Sequence, residues 1–163
     1  HDPFKRDTQI NLFQTDIALT QWGYLEYAEQ AIARSKKIIE RYPSSPAIIS
    51  IIATNMTSIG MHELALAYAE YVINVEGVTN PWPKAWYAKG RAMYQLGQTE
   101  EAIKALITAT KKRPGAEGAV FAHKLLAKIY GGEGGLKNSD LSKFHNQKGN
   151  EPVTVKERLS NDQ

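Results

Sequence analysis

Glycine recurs in this chain at a fixed interval, and that interval constrains the fold more than any other feature. Gly23, Gly60 and Gly97 are 37 residues apart, and Gly134 lies another 37 further on. Other columns keep the same step. Ala28, Ala65 and Ala102 follow the first three glycines by five residues, and Leu19, Met56 and Met93 precede them by four, with Tyr130 at the fourth. Trp22, Ile59 and Leu96 stand one residue before each glycine, and Leu12, Ile49 and Trp86 stand earlier in each unit. Several columns sharing one period mark an array of like units. Each is too small to bury its own apolar face and is stable only against its neighbours.

The unit itself is helical. Pro43, Pro46, Pro81, Pro83 and Pro114 all fall between stretches of about 13–17 residues whose apolar positions are spaced by three and four. Nineteen alanines, most of them inside these stretches, favour helix and let helices approach closely. No stretch sustains an alternating pattern bounded by hairpin turns, so no sheet is expected. The spacing predicts helices near 6–21, 25–41, 46–58, 62–75, 83–95, 99–112 and 118–130. Each repeated glycine suits a turn that closes a helix in the left-handed conformation, and the alanine after it suits a tight helix crossing. The expected fold is all-α. It is an α-solenoid of three helix-turn-helix repeats (about 9–45, 46–82 and 83–119) and a partial unit over 120–146, whose helix at 118–130 caps the open end. Leu136, Leu141 and Phe144 allow one last short helix, and the polar residues 147–163 are expected to form a flexible tail.

Residues 85–103, Ala-Trp-Tyr-Ala-Lys-Gly-Arg-Ala-Met-Tyr-Gln-Leu-Gly-Gln-Thr-Glu-Glu-Ala-Ile, resemble a tetratricopeptide repeat. Trp86, Gly90, Leu96, Gly97, Ala102, Leu106, Ala109 and Pro114 stand where that motif's signature residues stand, while Lys89 and Met93 depart from it. The units here are 37 rather than 34 residues long, and the extra residues are expected in the second helices or in loops such as Gly77–Trp82. The resemblance covers residues 9–146 and implies a right-handed superhelix whose first helices line a concave groove. Projected onto this sequence, it places Phe13, Ile17, Ser50, Ile51 and Thr54 in that groove. Lys84, Tyr87, Arg91 and Tyr94 follow, then Phe121, Lys124, Leu125 and Lys128. Some relatives hold a peptide's terminal carboxylate with Lys, Asn and Arg. Here Lys84 fits one such position, but Ala88 and Ile51 replace the other two donors, which argues against chaperone-tail binding.

Catalytic chemistry finds no support in the residues. The chain has no cysteine, which removes thiolate metal sites and cysteine nucleophiles. His1, His62, His123 and His145 form no i, i+4 pair and read as ordinary histidines, so neither metal nor cofactor is expected. The run Gly131-Gly132-Glu133-Gly134-Gly135 follows a helix and lacks a Gly-Lys-Ser/Thr ending, so it is a terminator rather than a phosphate loop. Asn55-Met56-Thr57 matches a glycosylation acceptor, but it lies mid-helix on a core column.

Charge is placed unevenly. Residues 1–83 hold 6 Lys/Arg against 9 Asp/Glu, and residues 84–163 hold 14 against 8, giving +3 for the whole chain. Lys111-Lys112-Arg113 closes a helical stretch, where cations complement the macrodipole. There is no nucleic-acid motif or long basic stripe, and no apolar run long enough to cross a membrane, so neither partner is expected. Lys84, Tyr87 and Arg91 share one helix face, as do Phe121, Lys124 and Lys128. Cations interleaved with aromatics suit an acidic peptide; the blander alternative makes Tyr87 and Phe121 packing residues and the cations solubilising ones. The leading expectation is a non-catalytic protein-interaction module. A rival is the accessory domain of a larger membrane-bound cell-surface polysaccharide polymerase or ligase, suggested by a chain that opens on His1 and is expected to be a processed or excised piece. Self-assembly through the open ends is a third. The compartment is not legible.

Overall fold

The computed structural model describes residues 3–74, 82–133 and 135–157. Among them run eight helices: α1 (Pro3–Gln21), α2 (Glu26–Arg41), α3 (Pro46–Ser58), α4 (His62–Asn74), α5 (Pro83–Gln95), α6 (Thr99–Lys112), α7 (Glu117–Tyr130) and α8 (Ser139–Gly149). The described residues form no strand, and the protein is all-α. The expected loop extension at Gly77–Trp82 lies outside the described residues except for Trp82, as do Gly134 and residues 158–163.

The repeated glycines do the same work three times. Gly23, Gly60 and Gly97 have φ of 100°, 81° and 83°, a region that costs a glycine little and an L side chain more. Each sits one residue past a helix's C-cap and donates its N–H to the carbonyl three residues back, on Thr20, Thr57 and Tyr94. The next residue, Tyr24, Met61 or Gln98, donates to Leu19, Met56 or Met93, respectively. Two otherwise orphaned carbonyls are thereby satisfied at each turn. The fourth turn repeats both bonds, from Gly132 to Ile129 and from Glu133 to Lys128, so its closing glycine is Gly132 rather than Gly134. Proline starts the helices as expected. Pro46 and Pro83 occupy the first turns of α3 and α5, and the Ser45 side chain accepts from the Ile48 N–H.

Packing is sequential and has two layers. α1 folds back on α2, α3 on α4, α5 on α6 and α7 on α8; α3 also meets α1 and α5, and α5 meets α7. The even-numbered helices touch odd-numbered ones, and among the described residues no even-numbered helix meets another. The crossings are tight where the sequence is small. Ala65 and Ala102 are fully buried, and a Cβ on Gly90 would stand 2.6 Å from the Leu106 side chain. Ala28, in the first unit, is only half-buried. There a polar tie helps, as the Arg34 Nε of α2 donates to Asp16 of α1 at 2.8 Å.

The end of the chain departs from expectation. α7 is not a lone cap, because α8 pairs with it and completes a fourth hairpin. The Ser142 hydroxyl donates to the Ala127 carbonyl at 2.9 Å, and Gly149 sits directly on the backbone of Lys124. Residues 147–149 belong to α8 rather than to a tail. Residues 150–157 continue as a strap along the α6–α7 loop, where Thr154 and Val155 both donate to the Gly115 carbonyl, at 3.0 and 3.1 Å.

Candidate functional site

The residues expected in one groove separate into three groups. Phe13 is fully buried, Ile17 is 3% exposed and Ser50 is fully buried, so the first two units present no such wall to solvent. Phe13 is corrected from a groove residue to a core residue. It clusters with Ile10, Ile17, Ile48, Ile52 and Met56, which fill the space between α1 and α3. Ile51 and Thr54 are half-buried on α3, and the Thr54 hydroxyl is spent on the Ser50 carbonyl.

The second group is held together by α5 and α7. The Tyr87 and Phe121 rings lie 5.5 Å apart, inclined at 54°, one from each helix. Arg91 and Tyr94 continue the Tyr87 face of α5 at i+4 and i+7, and all four side chains are half-buried. Burial, reinforced by the Glu133 carboxylate, raises the Tyr94 phenol above its ordinary pKa and keeps it a neutral hydrogen-bonding group. Lys84 begins this face, but its ammonium is committed to Glu117 at 2.6 Å.

Lys124 and Lys128 form the third group. They line a separate concavity of about 490 Å³ at the α7–α8 junction, with Ser142, Lys143, Asn146 and Asn150. The helix spacing does put them on one exposed stripe, yet α8, missing as a full element from the sequence reading, takes that stripe away from Phe121.

Two features escaped sequence reasoning. His123 and His145 meet with their Nδ1 atoms 2.8 Å apart, and the His145 ring stacks on Tyr130 at 5.7 Å. They border a cavity of about 510 Å³ whose apolar wall includes Ile107, Val120, Leu141 and Phe144. Burial, with His123 beside it, lowers the His145 imidazole to about 4, and burial also lowers His123. Among the described residues no group of three or more His, Asp or Glu is placed to hold a metal ion. The other feature is Glu157, 3% exposed, whose carboxylate accepts the Gly118 N–H at 2.7 Å and the Lys84 N–H at 2.9 Å. Knowing that α8 folds back on α7 would have paired the histidines; no sequence signal marks Glu157.

A scan against protein-family models finds no match for this chain, and a search of the curated proteins finds none either. Among the described residues no helix is long and apolar enough to cross a membrane.

Proposed function

We propose that the chain is a non-catalytic protein-interaction module of the tetratricopeptide-repeat kind, a right-handed solenoid of helix hairpins that binds a peptide or partner surface over α5 and α7. The observation that carries this reading is the Tyr87–Phe121 pair, half-buried between neighbouring odd-numbered helices and continued by Arg91 and Tyr94. Aromatic faces receive apolar side chains, and a guanidinium beside them selects a carboxylate, so the favoured ligand is a peptide with acidic and apolar residues close together. The repeated glycine turns and the continuous row of odd-numbered helices support the solenoid.

The test begins with selection of displayed peptides on the immobilised chain. Selected sequences should place Asp or Glu beside an apolar residue and bind by calorimetry with one site. Tyr87→Ala and Arg91→Glu should each weaken them, while Lys112→Glu, at the exposed end of α6, should not. Ligands that ignore both groove changes yet lose affinity with Lys112→Glu would overturn the assignment.

A further inference from the structure

The N-termini of α5 and α7 stand side by side with a carboxylate between them. Gly118 makes this possible, since a Cβ there would press into the Lys84 nitrogen and the Pro83 carbonyl carbon. The Lys84 and Gly118 N–H groups belong to the first turns of their helices, where no intrahelical acceptor exists. Both point at Glu157, the last described residue of the strap, and the Lys84 ammonium approaches the Glu157 carbonyl at 3.5 Å. The positive ends of two helix dipoles converge on the same anion.

The strap holding that anion is lightly attached. Glu151, Pro152, Val153, Thr154 and Lys156 are exposed, and beyond the junction with α8 its backbone-to-backbone hydrogen bonds to the other described residues run to the single Gly115 carbonyl. Val155 pairs with Ala116 in a parallel bridge, so the strap follows the direction in which the loop enters α7. Burial pushes the Glu157 carboxyl above its ordinary pKa despite the two N–H bonds and the nearby ammonium that oppose the shift. With most of its side chains in solvent, the strap is held chiefly by Glu157 and by the bonds to Gly115.

We propose that the seam between the N-termini of α5 and α7 is a binding seat for an extended acidic peptide, occupied in this chain by its own Val155-Lys156-Glu157, and that a partner's Glu-bearing segment binds there by displacing the strap. The seat selects a carboxylate because two orphan donors converge on one point, and selects an extended backbone because the Gly115 carbonyl and Ala116 edge offer strand-like pairing. The inference rests on the reading of the chain as a peptide-binding module and names a second contact for the ligand at the edge of that face.

The test uses the full chain, its Glu157→Ala variant and a fluorescent peptide with the sequence of residues 151–160. A tethered strap competes at an effective concentration of about 1 mM, so the variant should bind the peptide about tenfold or more tightly than the wild type. A peptide with Gln in place of its Glu should bind about tenfold or more weakly, for want of a charge-assisted bond. Amide exchange at Lys84 and Gly118 should be slow in the wild type, fast in Glu157→Ala, and slow again once peptide is added. Equal affinity for the Glu and Gln peptides overturns the seat, as does failure of the variant to bind or unchanged protection of the two amides. Tyr87→Ala and Arg91→Glu, placed in the Glu157→Ala background, should leave strap-peptide binding within about twofold, since a rim substitution acts mainly on its own contacts. Loss of binding with those two changes, together with equal Glu and Gln affinities, overturns the seat and leaves the groove standing.

Discussion

His123 and His145 share one hydrogen bond between like atoms, Nδ1 to Nδ1 at 2.8 Å, so one ring donates and the other must be neutral to accept. Both folded-state pKa values lie below the ordinary imidazole value, His145 at about 4. Between that value and the ordinary one the unfolded chain binds more protons, so stability falls as pH falls through this window. The loss from pH 7 to pH 4.5, reduced by solvent screening, should be on the order of 1 kcal/mol, read from urea unfolding at each pH. His145→Gln should flatten that slope. A wild-type stability that is level across the window would contradict the pairing.

The α5–α6 crossing should tolerate no added volume. Ala102→Leu inserts three carbons at a fully buried position, and Gly90→Ala drives a methyl against Leu106. Each should destabilise by about 1–3 kcal/mol in thermal melts. Ala28→Leu, at the half-buried counterpart in the first unit, should cost under about 1 kcal/mol, because the side chain can lean into solvent.

The glycine turns should be equivalent to one another. At Gly60 and Gly97 nothing lies within 4 Å of an added Cβ, so Ala there meets only backbone strain. Gly60→Ala and Gly97→Ala should therefore lose similar amounts, about 1–2 kcal/mol each, in chemical denaturation. A large difference between them would mean that the two hairpins do not close by the same device.

Salt should separate the two halves of the proposed binding face. The affinity lost through Arg91→Glu should shrink in 0.5 M salt, since a partly exposed charge is screened there. The loss through Tyr87→Ala should persist, because removal of an aromatic anchor is not an ionic effect. Calorimetry of one selected peptide at two salt concentrations decides it.

Structure is legible in the sequence where it is written locally. A glycine with positive φ, a proline at a helix start and a small residue at a crossing each leave a mark at their own position, so the turns at Gly23, Gly60 and Gly97 and the starts at Pro46 and Pro83 could be read directly. Phe13 was misplaced because the buried face of α1 depends on how α1 leans on α3, and the repeat period does not encode that angle. The α7–α8 hairpin was half visible: Leu141 and Phe144 hinted at a helix, but an 11-residue element with polar composition carries little periodicity. Glu157 was invisible, since backbone N–H groups bind it and backbone donors have no residue type.

The two layers differ in which helices meet within them. Among the described residues the odd-numbered helices meet one another along their row, whereas each even-numbered helix leans only on odd ones. A ligand lying across α5 and α7 would therefore touch the row whose helices meet directly, and any shift that it forced between them would have to be carried by α4 and α6, each wedged against two odd-numbered neighbours.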